Sequence, residues 1–421
     1  MLKHSAFFFS FVAVTTILNI LFRKYVSSSL EIDDFGVFTA ILALYGMMIA
    51  PVSVFPMYLA RNMAILQEKR GIADALSFRK KFLRIYILLI VVIAALLVLF
   101  SPLWKDGYHL YSVFPVLLAI GLFFLQTLSG INGASLQSFQ DFGTVGKLQL
   151  ICTSVKLLSV IVFFEIVVSS FNLEYYISKY NFVIFSAIIG AFVAVAAGFF
   201  ILSRKSASYR DSLFDYKIDY RSLFHDLWPM AVLLLLFGVL NGIDEFFARH
   251  YLDKNSNGLY GSIVTLGKTS IYIIASVIYV VFPKLSSNID DPLVTRRIML
   301  KALVLSLASF AAVMMAVLLF SDFILELLTH KKYLAAAPYL KLFFIAYMPY
   351  SLIFMLINFF IIHKNLFYII GLTVIVALEV MLYSIFHGSI NEIIYVMGLM
   401  GYVNLLFSSG IWYMKHARLK R

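Results

Sequence analysis

The stretch VLNGIDEFFARHYLDKNSNGLYGSIVTLGKTSIYIIASVIYVVFP, residues 239–283, reads as two apolar helices joined by a short polar turn. Asp244, Glu245, Arg249 and Lys268 stand inside surroundings otherwise suited to lipid. Charged groups are costly at membrane depth and mark functional positions. The same layout recurs earlier in the chain. Leu18-Asn19 matches Leu240-Asn241, and Gly36-Val37-Phe38 matches Gly258-Leu259-Tyr260, both at an offset of 222 residues without a gap. Two related halves are therefore expected, with this hairpin opening the second.

Composition extends that reading to the whole chain. Of 421 residues, 62% are hydrophobic and 13% charged, against roughly 45–50% apolar in an ordinary soluble protein. Mean hydropathy is +0.93. Twelve runs approach the length of about 20 mostly apolar residues that a spanning helix needs. They lie at 6–22, 35–60, 82–101, 113–136, 148–170, 181–202, 228–248, 258–282, 301–320, 339–362, 367–386 and 393–414. Such long runs satisfy their backbone as helices, whereas barrel strands would alternate over about ten residues. The expected fold class is an all-α polytopic membrane protein of about 12 transmembrane helices in two six-helix bundles. Residues 1–205 form the first bundle, 206–227 a charged linker and 228–421 the second. The basic, apolar N-terminus is read as the first span because its run is long and Arg23-Lys24 follow without a small-x-small cleavage site.

The net charge of +12 is a matter of topology before it suggests nucleic acid, since Lys and Arg gather on the cytoplasmic side. Arg61, Lys69, Arg70, Arg79, Lys80 and Lys81 crowd the connection after the second run, and Lys415, Arg418, Lys420 and Arg421 end the chain. Both termini are thereby placed in the cytoplasm, with the protein as a multi-pass inner-membrane protein. The single cysteine, Cys152, excludes a disulfide within the chain. No P-loop, zinc-ligand pattern or nucleophile elbow occurs, so no cofactor, metal or catalytic residue is assigned. The short connections on the far side leave little room for a membrane-embedded glycan-modifying enzyme.

Polar residues inside the runs carry the functional reading. Lys268 lies ten residues into the eighth run, roughly 15 Å along a helix. It suits a cationic contact for an anionic substrate, or an ion pair with Asp244, which an antiparallel hairpin places opposite position 265. Glu245 and Arg249 are spaced for a local i, i+4 pair. Arg23 forms a cationic rim or pairs with acids in its turn, and Arg61 is either a topological charge or a headgroup contact. Lys156 and Glu165 fall on opposite faces of one helix, with Lys156 directed to the inner interface and Glu165 to the outer. Glu379, alone in LTVIVALEVMLYS, suits a coupling-ion site or a hydrogen bond to a neighbouring helix. Asn19, Asn241 and other amides, with prolines at Pro51, Pro56, Pro229 and Pro349, suggest a polar interior and helices that bend.

NILFRKYVSSSLEIDDFGVFTAILAL at 19–44 resembles the opening of polysaccharide-biosynthesis membrane proteins. LNGIDEFFARHYLDKNSNGLYGSIVTLGK at 240–268, followed by VVFPKLS at 280–286, is similar to their second half. The whole chain looks like a Wzx-type O-antigen or exopolysaccharide flippase. These form the polysaccharide transporter family of the multidrug/oligosaccharidyl-lipid/polysaccharide exporter superfamily. The resemblance implies a MATE-like V-shaped fold and alternating access. It further implies an undecaprenyl-diphosphate-linked oligosaccharide as cargo, such as an O-antigen unit for lipopolysaccharide biosynthesis. Lys268, Arg61 and Arg23 would supply the cations that meet the diphosphate. Asp244, Glu379, Asn241 and Asn19 would serve as ion-pair or coupling residues, with H⁺ or Na⁺ as the coupling ion. The lipid bilayer and other polysaccharide-assembly proteins are the remaining partners. Multidrug or cation efflux is the alternative within the superfamily.

Overall fold

The computed structural model describes all residues except 1, 169, 171–176, 208, 210–218, 272–291, 364 and 418–421. Part of the expected linker, the end of the eighth run, VVFPKLS and the terminal Arg418, Lys420 and Arg421 thus lie outside the described residues. Among those described, the regular elements are all helical.

The first elements are α1 (Leu2–Ser29) and α2 (Ile32–Ile49). The single run expected at 35–60 is broken, because Pro51 has no N–H to donate back and opens a 3₁₀ turn, Pro51–Ser53. The chain resumes as α3 (Val54–Arg70). Gly71, at φ +97°, turns it within one residue into α4 (Ile72–Leu99). A side chain at that φ would be strained. After the short α5 (Ser101–Gly107) come α6 (Phe114–Ser138) and α7 (Phe142–Val162), the latter capped by Asp141, which accepts from the Thr144 amide. A π-helical segment, Phe163–Val168, continues α7, and α8 (Lys179–Ala207) follows.

The later elements are α9 (Tyr220–Leu240), α10 (Ile243–Tyr251), α11 (Lys254–Gly267) and α12 (Pro292–Leu328). Then come a 3₁₀ segment (Lys331–Ala336), α13 (Ala337–His363), α14 (Leu366–Ile385) and α15 (Ile390–Ala417). Pro229 and Pro349 are carried inside α9 and α13. The one non-helical residue within α12 is Phe320, at φ −128° and ψ 30°.

Ten helical stretches among the described residues are long and apolar enough to cross a membrane. The other two expected runs fall on α1 and on the stretch that α11 opens. The outward apolar faces fit that role: Leu88, Val91 and Leu96 on α4, and Phe367, Ile370 and Val374 on α14, are exposed. In water such faces would drive association, whereas lipid accepts them without penalty.

Contacts divide the chain into two units. Unit 1 comprises Met1–Leu30 and Leu44–Ala231, and unit 2 comprises Glu31–Ala43 and Val232–Arg421. The first part of α2 therefore belongs to the later unit. Unit 1 packs α1 on α7, α7 and α6 on α8, and α3 on α4 and α6. Leu136, Val145, Leu148 and Leu202 close one end of it. Unit 2 packs α13 against α12 and α15, with α14 on α15 and α11 on α13.

Within unit 2 the repeated glycines meet. A Cβ on Gly258 would run into the Ile32 carbonyl oxygen, and one on Gly36 into Asn257. One turn beyond, Gly261 gives its space to the Thr39 hydroxyl. The motif that marks the repeat in sequence is therefore the crossing point of α2 and α11.

Candidate functional site

The site in unit 2 begins with a helix break. After α9, the Asn241 amide bonds back to the Phe237 carbonyl at 2.9 Å and the Gly242 amide to Val239 at 3.0 Å. Gly242 then caps the start of α10. The break leaves the Asn241 carbonyl without its ordinary acceptor role in an α-helix. It also places Asp244 and Glu245 in the first turn of α10, where the positive end of the helix dipole favours carboxylates.

Lys268 answers from the other arm of the hairpin. It caps the C-terminal end of α11, where a cation is favoured for the converse reason. Its ammonium donates to the Asn241 carbonyl at 2.5 Å, to Asp244 Oδ1 at 2.8 Å and to Glu245 Oε1 at 3.0 Å. An ammonium has three protons, so these three acceptors account for all of its donors. Asp244 is 1% exposed and takes a further bond from the Tyr260 hydroxyl to Oδ2 at 2.7 Å.

The network continues along α13. Tyr347 donates to Asn241 Oδ1 at 2.6 Å, and its ring lies parallel to that of Tyr350, centroids 5.5 Å apart. The Tyr350 hydroxyl reaches Glu379 Oε1 at 2.7 Å and the Met397 carbonyl at 3.1 Å. Glu379 is fully buried, and its Oε2 has no hydrogen-bond partner. Phe247 stacks on Tyr383 of α14 at 5.2 Å, tying α10 to the helix that carries Glu379.

Arg249, also on α10, bonds Asp33 Oδ1 at 2.7 Å, and Lys254 stands 3.6 Å from the other oxygen of that carboxylate. Helical spacing within 239–283 directed Arg249 and Glu245 towards each other. The structure shows Glu245 with Lys268 and Arg249 with Asp33 at the start of α2.

The remaining sequence-selected residues belong to unit 1. Asn19 Oδ1 accepts from the Lys156 ammonium at 2.7 Å, and that ammonium also lies 4.3 Å from the Phe22 ring centroid. Lys156 was expected to extend to the inner interface, but a polar partner on α1 and an aromatic face hold it in place. Glu165, in the π-helical segment, accepts from the Tyr25 hydroxyl at 2.8 Å. Arg23 is half-buried on α1, and Arg61 is exposed on α3. The structure thus gathers Lys268, Asp244 and Asn241, links Glu379 to them through Tyr347 and Tyr350, and places Asn19, Arg23 and Arg61 in the other unit.

Two features escaped the sequence reading. Tyr347 and Tyr350 gave no signal beyond a high aromatic content, and Tyr260 was marked only as part of the repeat. Arg79 was counted only as a topological charge, yet it is 7% exposed. A signal was available: Ala75, Arg79, Phe82, Tyr86 and Ile90 are all buried on α4, and their spacing of three and four residues traces one helix face.

No family model matches this sequence. No curated protein matches it either. Solved structures do match. An inward-closed lipid II flippase MurJ shares 16% identity with a TM-score of 0.65, covering 97% of this chain and 88% of its own. An outward-facing multidrug resistance MATE family transporter of the MOP superfamily shares 14% identity with a TM-score of 0.66, covering 99% and 94%. A MOP superfamily transporter from Pyrococcus furiosus, described by a binding pocket of reversed polarity, gives 14% and 0.60 over 99% and 94%. The chain is a multi-pass membrane protein with the fold these transporters share. At such identities the likeness extends to the fold and no further.

Proposed function

We propose that this protein is a lipid flippase. It moves an undecaprenyl-diphosphate-linked oligosaccharide, an O-antigen or other surface-polysaccharide unit, from the cytoplasmic to the periplasmic leaflet of the inner membrane by alternating access. The observation that carries the reading is that Lys268 pairs with both Asp244 and Glu245. A carrier of organic cations needs buried carboxylates free to meet its cargo. Here the acid pair of α10 is already occupied by a tethered ammonium.

The excess of cations supports the same cargo. Arg23, Arg61 and Lys156 lie on α1, α3 and α7 of unit 1, and a diphosphate is the kind of group such charges attract. Lys268 reaches cargo in this reading by exchanging one carboxylate for a phosphate oxygen. Glu379 is assigned the coupling role for H⁺ or Na⁺, since its Oε2 is buried without a hydrogen-bond partner. That same carboxylate is the one feature favouring the rival reading, multidrug cation efflux.

The test is reconstitution of the full chain into liposomes with a fluorescent undecaprenyl-diphosphate oligosaccharide on one leaflet. Protein-dependent movement of the label to the other leaflet is expected. Extrusion of a cationic dye with no movement of the glycolipid would overturn the reading in favour of efflux.

A further inference from the structure

Arg79 is a buried cation with two neutral hydrogen-bond partners. Its Nε donates to Ser135 Oγ at 2.9 Å and its Nη2 to Asn132 Oδ1 at 3.3 Å, both on α6. Among the described residues no acidic side chain pairs with it. Its third nitrogen, Nη1, has no protein partner and is not among the sealed, unsatisfied atoms.

Both acceptors are fixed by their own bonds. The Ser135 hydroxyl donates to the Ile131 carbonyl at 2.8 Å, which turns its lone pairs towards Arg79. The Asn132 amide donates to the Val195 carbonyl at 3.3 Å, which sets its oxygen towards the guanidinium. Gly198 permits this, because a Cβ there would press on the Asn132 side chain. The fork is held in one orientation by two neutral groups, with no carboxylate among the described residues to balance its charge.

Removing an ion from water costs several kcal/mol even after relaxation, in the order of magnitude usual for proteins. Hydrogen bonds to a charged group return only about 1.5–3 kcal/mol each. An anion on Nη1 would add a charge-assisted bond to the two that Ser135 and Asn132 supply. Its level in the membrane follows from the sequence. Arg79 precedes the apolar run at 82–101 by three residues, about 4.5 Å of helix, which is where lipid phosphates lie outside the hydrocarbon. The same end of unit 1 carries Lys69 and Arg70 in the last turn of α3 and Arg204 and Lys205 in the last turn of α8.

We infer that Arg79, oriented by Ser135 and Asn132, is a binding subsite for the phosphate ester of a lipid. A bulk phospholipid headgroup and the diphosphate of the lipid-linked cargo share this chemistry. Only the second source rests on the flippase reading.

The test uses the full chain purified in mild detergent, with Arg79→Met and Arg79→Gln variants. Native mass spectrometry would measure retention of three probes: phosphatidylglycerol, undecaprenyl diphosphate, and diacylglycerol, which has no phosphate. The wild type is expected to retain at least one phosphate lipid, and both variants to lose it about tenfold, the equivalent of one charge-assisted hydrogen bond. Diacylglycerol should be unaffected. Loss confined to phosphatidylglycerol identifies a headgroup site, and that result stands even if the flippase reading fails. Loss of the diphosphate identifies a cargo subsite.

Thermal unfolding supplies the control. Without phosphate lipid, Arg79→Met should unfold no lower than wild type, because it removes a buried charge. Added phosphatidylglycerol or undecaprenyl diphosphate should then raise the wild type alone. Equal retention of the phosphate lipids by wild type and variants would overturn the inference. So would variants too unstable to purify or less stable in every lipid, because Arg79 would then be purely structural.

Discussion

The Lys268 ammonium stands 2.8 Å from Asp244 Oδ1, the negative group in the first turn of α10 facing the positive group at the C-cap of α11. Both side chains are largely removed from solvent, at 14% and 2% exposure. Breaking a buried pair on one side leaves its partner charged and unsolvated, which typically costs about 3–5 kcal/mol. Lys268→Met strands two carboxylates and should lower the unfolding temperature of the purified protein strongly. Lys268→Met combined with Asp244→Asn and Glu245→Gln removes the stranded charges and should recover most of the loss. A triple variant no better than the single one would show that the charges do not set the stability of this hairpin.

Gly258 faces the Ile32 carbonyl so closely that any Cβ forces backbone to move. Overpacking of this kind costs about 1–3 kcal/mol, so Gly258→Ala should be clearly destabilised in thermal unfolding. Gly46, in α2, is the control, because nothing lies within 4 Å of its Cβ position. Gly46→Ala should be neutral or gain up to about 1 kcal/mol from helix propensity.

These two sites show what sequence can and cannot carry. The spans, the hairpin and the 222-residue offset are legible because apolar length and repeated residues are linear properties of the chain. Hairpin counting put Asp244 near Lys268 for the same reason. The break after Leu240 was not legible, although it frees the carbonyl that receives the shortest of the Lys268 bonds. Arg249 meets Asp33 across 216 positions, and Lys156 meets Asn19 across 137. Helical periodicity predicts neighbours within one element, whereas these partners are chosen by packing between elements. Arg79 stood in view on a buried stripe but was hidden within a run of basic residues.

The Arg249–Asp33 bond makes a separate prediction. Arg249 is 7% exposed and Asp33 26%, so the pair is shielded without being sealed. Asp33→Asn and Arg249→Gln should each cost about 1.5–3 kcal/mol, the range for a hydrogen bond to a charged group. Residues in direct contact are not additive. The double variant should therefore unfold close to the worse single variant. Full additivity would mean that the two side chains act independently.

Asp253, in the turn between α10 and α11, gives a pH-dependent prediction. Its carboxylate caps α11 by accepting from the Asn255 and Ser256 amides at 3.0 and 3.1 Å. Hydrogen bonding from Ser256 is the main cause that holds its carboxyl below the ordinary value. A depressed folded-state pKa means the ionised cap stabilises the fold above the unfolded value, near about 4 for aspartate. That contribution fades as pH falls through the lower, folded-state value. Asp253→Ala should cost about 1 kcal/mol at neutral pH, as for other N-cap losses. The gap between variant and wild type should narrow below about pH 4, where protonation removes the charged cap from the wild type. Asp253→Asn keeps a capping oxygen with nothing to titrate, so its stability relative to Asp253→Ala should be constant across the same range. Thermal unfolding of the three proteins between acidic and neutral pH checks both slopes, and a constant wild-type advantage would rule out the charge as the source of the cap.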